Sequence, residues 1–145
     1  MKNNKGFTLI EMLVVIAIIA VLVSIVVPTV KKSTEKAAAT ADAANLRTIM
    51  GELNTVVATS GKMTADNAKD IPAPACQTFD SAKLLVVYQN PGFIDAYYLS
   101  GGNYYGLNYF AAIAETGAID PTISTKQPTG DGFQWYEAGV GAYSN

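Results

Sequence analysis

Apolar residues are concentrated in one block near the start of the chain. Residues 12–27 read MLVVIAIIAVLVSIVV, in which Ser24 is the one polar residue. Extended back to Phe7, the block contains a single charge, Glu11. A helix over residues 7–27 is about 31 Å long, close to the thickness of a bilayer's hydrocarbon core. Four lysines flank the block: Lys2, Lys5, Lys31 and Lys32. The pattern predicts a membrane-spanning helix with a cytoplasmic N-terminus.

The helical pattern continues after the apolar block, but its character changes. Between residues 29 and 61 it predicts an amphipathic helix that ends at Gly61. Pro28 stands between the two parts and is expected to kink or locally unwind the helix, because it lacks an N–H group and crowds the preceding turn. One apolar stripe follows the second part, with members three or four positions apart: Leu46, Ile49, Met50, Leu53, Val56 and Val57.

The remainder of the chain indicates a small antiparallel sheet. Residues 62–92 read as an irregular connector that contains the apolar run 84–88. The aromatic segment 93–110 favours two strands joined around residues 100–103, although residues 107–117 also fit a helix capped by Gly117. In the tail, Phe133 and Trp135 alternate in a second predicted hairpin. The expected fold class is therefore α+β, with the second half of a long N-terminal helix packed on an antiparallel sheet.

Composition excludes most enzyme classes. The 145 residues include no His and one Cys, Cys76. Nucleophilic triads built on histidine and paired-thiolate metal sites are therefore excluded, as is an intramolecular disulfide. We expect Cys76 to be a buried or half-buried inert thiol. With a net charge of -2, a protein that mainly neutralises nucleic-acid phosphates is also disfavoured.

Two groups of residues in the part of the chain after residue 92 could bind a ligand, but neither pattern is specific for one. The aromatic window 93–110 has no Lys or Arg, so sheet packing or subunit contact is favoured over nucleic-acid stacking. Asp120, Asp131 and Glu137 offer oxygen ligands for Ca²⁺ but lack an EF-hand spacing. The sequence therefore predicts no cofactor, no metal site and no catalytic residue.

The start of the chain resembles the processing site of type IV prepilins. The residues that carry the resemblance are the basic leader ending in Gly6, the aromatic Phe7, Glu11 four positions later and the unbroken apolar run. Residues 1–30 match the family pattern closely, and the long-helix pattern extends to about residue 60. A cleaved secretory signal peptide fits less well because no A-x-A-like site ends the run. A plain anchor gives no reason for a carboxylate in the span.

The resemblance implies processing and assembly. A membrane prepilin peptidase would remove the leader, residues 1–6, by cutting Gly6–Phe7, and would then methylate the Phe7 amine. Glu11 would attract the N-terminus of a neighbouring subunit and set the register of assembly. The alternative is that Glu11 pairs with the Phe7 amine of its own chain, four residues away on the same helix. Family members also require an assembly platform and an ATPase.

The sequence thus predicts a structural subunit, not an enzyme. Its parts are the leader 1–6, the filament-core or transmembrane helix 7–28, the amphipathic continuation 29–61 and the globular head 62–145. We expect a major type IV pilin that waits in the cytoplasmic membrane with its head outside and then polymerises into a surface pilus for adhesion, motility or aggregation. The missing C-terminal disulfide suggests a Gram-positive-like member. The alternatives are a pseudopilin of a type II secretion or competence apparatus, and a membrane-anchored binding module that never polymerises.

Overall fold

The computed structural model describes residues 6–90, 92–118 and 120–143. The helices and strands follow one another in this order: α1 (Leu9–Ser60), α2 (Ala65–Lys69), β1 (Lys83–Gln89), β2 (Phe93–Ser100), β3 (Asn103–Gly106), α3 (Leu107–Thr116), β4 (Gln134–Glu137) and β5 (Gly141–Ala142). The chain divides into two compact units, Met1–Thr34 and Glu35–Asn145. Helix α1 supplies most of the first unit and one wall of the second.

In the first unit, the helix is apolar on every side. The most hydropathic 18-residue window of α1 has a mean hydropathy of 3.1, and none of it is buried. By length and composition this helix is sufficient to cross a membrane. Ile16 and Val27, for example, are 64% and 58% exposed. Exposure of such a large apolar surface to water is unfavourable, so this part of the molecule requires lipid or protein around it.

The second unit is built on the amphipathic half of α1, as the apolar stripe predicted. Leu46, Ile49 and Leu53 are almost fully buried, and Met50, Val56 and Val57 are partly buried against the same core. The helix ends at Ser60, and Gly61 follows with a φ of 74° that favours glycine. The predicted C-terminal boundary of the helix is therefore confirmed.

Five antiparallel strands pack on this helix in the order β3-β2-β1-β4-β5. The central strand β1 is the apolar run of the connector, where five consecutive residues are buried. Because side chains alternate along a strand, Leu84, Val86 and Tyr88 join the core shared with α1. The predicted α+β architecture is confirmed.

The aromatic segment combines both alternatives left open by the sequence. Strands β2 and β3 form the hairpin, with Gly101 and Gly102 at positive φ in its turn. Helix α3 then begins at Leu107, so the hairpin ends earlier than residue 110. Gly117 caps α3 at a φ of 71°, and its N–H group donates to the carbonyl of Ile113 at 2.7 Å.

Candidate functional site

The predicted cleavage bond lies immediately in front of helix α1. Gly6, Phe7 and Thr8 are not helical, and α1 begins at Leu9. Among the described residues, no atom beyond the chain neighbours of Gly6 lies within 4 Å of where its Cβ would stand, and Phe7 is 82% exposed. A protease binds its substrate extended, so this accessible, non-helical dipeptide suits cleavage. Met1, Lys2 and Lys5 of the leader lie outside the described residues.

Glu11 and Thr8 close the first turn of α1 by a reciprocal set of hydrogen bonds. The Thr8 N–H and the Thr8 hydroxyl both donate to Oε2 of Glu11, each at 2.7 Å. The Glu11 N–H donates back to the Thr8 hydroxyl at 3.3 Å. This arrangement is a capping box, with Thr8 as N-cap and Glu11 at the third helical position. It satisfies N–H groups that would otherwise lack a partner at the helix start.

The capping role of Thr8 was not predicted from the sequence, and Glu11 was expected to pair only with an amine. The spacing Thr-x-x-Glu directly before an apolar run is the signal that would have revealed the box. Both amine partners predicted for Glu11 stay predictions, because residue 7 would gain a free amine only if the chain were cut between Gly6 and Phe7. All the hydrogen bonds described for the carboxylate end on Oε2.

Helix α1 passes through Pro28 as a continuous helix. Proline cannot donate the usual hydrogen bond, which weakens the ladder at this turn. Two nearby hydroxyls bond back to carbonyls of the preceding turn: Ser24 Oγ to Val21 O at 2.7 Å, and Thr29 Oγ1 to Ile25 O at 3.2 Å. Both hydroxyls are thereby satisfied within the helix, as an apolar environment requires. Local unwinding is not seen in this state of the chain, and the kink stays a prediction.

A buried carboxylate fixes the connector to α1 in the second unit. Asp42 is fully buried, and its oxygens accept from Gln77 N at 2.7 Å, Thr78 N at 2.9 Å and Cys76 Sγ at 3.3 Å. The Tyr98 hydroxyl holds the same connector by donating to the Pro74 carbonyl at 2.9 Å. These hydrogen bonds hold an irregular loop against the helix without a covalent cross-link.

Cys76 is half-buried, as predicted, and is a weak nucleophile. Burial raises the pKa of its thiol to about 11, and the hydrogen bond to the Asp42 carboxylate acts in the same direction. The thiolate is the reactive form, so little of it is present near neutral pH. The neighbouring Tyr98 hydroxyl also has a raised pKa, about 12, chiefly because it is buried.

The three candidate calcium ligands have separate local partners. Asp120 accepts from the N–H and hydroxyl of Thr122, and Glu137 forms an ion pair with Lys83 at 3.0 Å. Asp131 contributes its backbone carbonyl to Gln89. Among the described residues, no cluster of three or more His, Cys, Asp or Glu side chains could hold a metal ion.

The aromatic residues of segment 93–110 mostly serve the core. Tyr98 and Phe110 are completely buried and meet edge to face, with ring centroids 5.8 Å apart. Tyr104 and Tyr109 are 5% exposed. Tyr98 and Tyr104 are buried residues of strands β2 and β3, in agreement with the predicted sheet packing, whereas Tyr109 and Phe110 are buried from helix α3.

Comparison with known proteins identifies the N-terminal segment. Residues 1–27 match the family described as the prokaryotic N-terminal methylation motif. No curated protein and no solved structure matches the chain. The match contains the candidate cleavage bond, the capping box and the whole apolar block, residues 7–27, and it implies processing by a prepilin peptidase. Proteins of the pilin family are structural and not enzymes. The motif and the α+β fold, a long N-terminal helix packed on a five-stranded antiparallel sheet, together indicate a type IV pilin-like protein of the pilin and pseudopilin superfamily.

Proposed function

We propose that the chain is a prepilin that is cut between Gly6 and Phe7, methylated on the new amine and polymerised into a type IV pilus. The observation that carries the proposal is the accessible Gly6–Phe7 dipeptide directly ahead of a fully exposed apolar helix. Before assembly the helix lies in the cytoplasmic membrane with the head outside. In the filament, other copies replace the lipid, so the apolar surface stays out of water throughout.

Glu11 would act in the register of assembly. Two hydrogen bonds from Thr8 occupy Oε2 and fix the carboxylate at the helix start. The other oxygen, Oε1, is then the one that receives the methylated amine of a neighbouring subunit. A carboxylate in an apolar surrounding favours a cationic partner strongly, because leaving the charge unpaired there is costly. The same geometry suits the alternative in which the amine belongs to the same chain.

We infer that this subunit is the major pilin, since its head of roughly 85–115 residues forms one small core. The absent C-terminal disulfide supports a Gram-positive-like member. The second candidate is a pseudopilin of a secretion or competence apparatus, which shares the entire N-terminal site. The filament would support adhesion, motility or aggregation.

The test is mass spectrometry of the N-terminal peptide from material sheared off intact cells. A pilin yields a sheared peptide that starts at Phe7 and carries one extra methyl group. A processed chain found only in membranes favours the pseudopilin. An intact Met1 in the membrane, together with an unchanged phenotype for Glu11→Ala, overturns both and leaves the non-polymerising anchor.

A matched pair of glycine variants tests the cleavage site. Gly6→Val places a branched side chain at the bond and should abolish the peptide that starts at Phe7. Gly51→Val introduces the same side chain on the exposed surface of α1, where, apart from the helix's own backbone, no described atom lies within 4 Å of the new Cβ. That variant should be processed normally. Equal processing of both variants would contradict Gly6–Phe7 as the cleaved bond.

A further inference from the structure

A cleft opens in the second unit between the first residues of β2, the start of α3 and the irregular loop 123–129. Its volume is about 730 Å³, within the range of sites that bind small organic molecules. Four side chains that are only partly buried supply its apolar lining: Met50, Ile94, Leu107 and Ile123. The cleft therefore offers an apolar area that the hydrocarbon part of a ligand covers favourably.

One wall of the cleft carries a carboxylate in a fixed position. Oδ1 of Asp95 accepts from the Ala96 N–H at 2.8 Å, and Oδ2 accepts from the Tyr97 hydroxyl at 2.5 Å. Gly106, opposite Tyr97 on β3, leaves room for this arrangement, because a Cβ there would lie 2.8 Å from the Tyr97 ring. Among the described residues, no cation lies within ion-pair distance of Asp95. The fixed, half-buried carboxylate therefore suits a cationic group of a ligand.

A lysine carries the opposite charge at the same cleft. Lys126 belongs to the loop 123–129, lines the cleft and is exposed. In the described part of the chain, its ammonium group has no carboxylate within ion-pair distance, and this includes Asp95. Two opposite charges that line one cleft without pairing are complementary to a ligand that itself carries both charges.

Two neutral polar side chains at the start of α3 also line the cleft. Asn108 is exposed, and its amide forms no hydrogen bond with the described residues. Tyr109 is 5% exposed, and its hydroxyl likewise forms none with them. Both groups can donate and accept, as the N–H and C=O groups of a peptide bond require. These side chains therefore favour a ligand with peptide bonds over a single amino acid.

We propose that this cleft binds a short zwitterionic peptide with apolar side chains, of about two or three residues, a size that suits its volume. The N-terminal ammonium group pairs with Asp95, and the C-terminal carboxylate pairs with Lys126. The apolar side chains cover the lining around Ile94 and Leu107, and the peptide bonds meet Tyr109. Charged groups and polar pockets recognise peptide termini in this way. The inference goes beyond filament formation and does not depend on it.

Isothermal titration calorimetry of the full-length chain in detergent micelles tests the site with the tripeptide Leu-Gly-Leu, with protein-free micelles as the blank. Two blocked forms separate the charges: the N-acetylated peptide lacks the ammonium group, and the C-terminal amide lacks the carboxylate. Loss of a charge-assisted hydrogen bond at either end should weaken binding by about tenfold or more. Absence of binding of the free tripeptide at millimolar concentration, or a loss on blocking only one end or neither, overturns the proposal.

Charge-neutralising variants locate the binding to the cleft. Lys126→Gln should weaken binding of the free tripeptide by about tenfold or more and leave binding of the C-terminal amide unchanged, since that peptide has no carboxylate. Asp95→Asn should weaken the free tripeptide and leave the N-acetylated form unchanged. Asp66→Asn and Lys62→Gln remove exposed charges that do not line the cleft, and both should bind like the wild type.

The exposed position of Lys126 keeps the test decisive even if Asp95→Asn fails to fold. A Lys126→Gln chain that binds the free tripeptide as tightly as the wild type overturns the proposal, as does an equal loss in the two control variants. Failure of this test leaves the pilin assignment intact, because that assignment is decided by the N-terminal peptide from sheared material.

Discussion

At the scale of single residues, two carboxylates of the same helix, Glu11 and Asp42, have different roles. Glu11 belongs to an exposed capping box at the start of α1, in which the Thr8 donors both end on one oxygen, Oε2. Asp42 lies 0% exposed and is saturated by donors from the connector. Residue type does not distinguish these roles. What distinguishes them is the number and source of the hydrogen-bond donors around each carboxylate.

The capping box predicts a local effect of removing the Thr8 hydroxyl. Thr8→Val deletes the acceptor of the Glu11 N–H and one donor to the Glu11 carboxylate. Loss of an N-cap side chain costs about 1 kcal/mol, so the Glu11 amide should exchange with solvent about fivefold faster. Hydrogen exchange in detergent micelles measures this rate. Thr8→Ser keeps the hydroxyl and serves as the control, and equal exchange in all three chains would contradict the box.

The buried and fully hydrogen-bonded carboxylate of Asp42 leads us to expect a large loss of stability when it is replaced by a nearly isosteric amide. Asp42→Asn replaces one acceptor oxygen by an N–H₂ group that faces the donors of Cys76, Gln77 or Thr78. We expect a loss of about 2–3 kcal/mol in the free energy of unfolding, because buried donors then lack an acceptor. Urea denaturation of the detergent-solubilised chain measures it. Asp66→Asn changes an exposed carboxylate paired with Lys69 and should cost less than about 1 kcal/mol; similar losses in both variants would argue against the special position of Asp42.

At the scale of elements, the predictions succeeded where one pattern is long and uninterrupted. The apolar block and the stripe of α1 repeat over many turns, so local periodicity fixes the helix through to Ser60. Strand β1 was recognised only as an apolar run in a connector, because five consecutive buried residues carry no alternation. The boundary between β3 and α3 lies at Gly106 and Leu107, within a stretch whose aromatic residues fit a strand and a helix equally well.

The end of α3 predicts opposite effects of one substitution at two glycines. Gly117 caps α3 at a φ of 71°, where an added Cβ is strained, so Gly117→Ala should destabilise the chain by about 1 kcal/mol. Gly51 lies within α1 with open space around its Cβ position, so Gly51→Ala should stabilise it by about 0.5–1 kcal/mol. Urea denaturation of both variants supplies the comparison. A stabilising Gly117→Ala would refute the left-handed cap.

At the scale of the whole molecule, the order of the strands lay beyond the sequence pattern. The N-terminal site was readable because cleavage site, carboxylate and apolar run occur within a short stretch of the chain. The order β3-β2-β1-β4-β5 instead depends on pairings such as Val87 with Trp135, which join residues far apart in sequence. The polar contacts of Asp42 likewise bring together residues more than 30 positions apart. Hydrophobic periodicity shows which face of a helix or strand is buried, but not which element packs against that face. These contacts could therefore be identified only from the structure.

Two weak acids in these long-range contacts make the stability of the whole molecule sensitive to alkaline pH. Burial raises the pKa of Cys76 from 9.0 to about 11 and that of Tyr98 from 10.0 to about 12. A raised pKa in the folded state means that the protonated form is favoured there, so this stability is complete below pH 9 and falls as the pH rises toward 12. Differences of this size correspond to about 2–3 kcal/mol per group at most.

Part of the decline should be traceable to these two side chains, and a further part to Tyr97, whose pKa is raised by burial and by the neighbouring Asp95 carboxylate. Unfolding free energies measured from pH 8 to pH 12 should fall less steeply in Cys76→Ala/Tyr98→Phe than in the wild-type chain, although the variant begins from a lower value because Tyr98 loses its bond to the Pro74 carbonyl. The single variants Cys76→Ala and Tyr98→Phe should each show part of this change in slope. An identical slope in the double variant would mean that the alkaline sensitivity arises elsewhere. A reduced slope would place part of this sensitivity in the connector, since both acids contact residues 74–78 or the carboxylate that holds them.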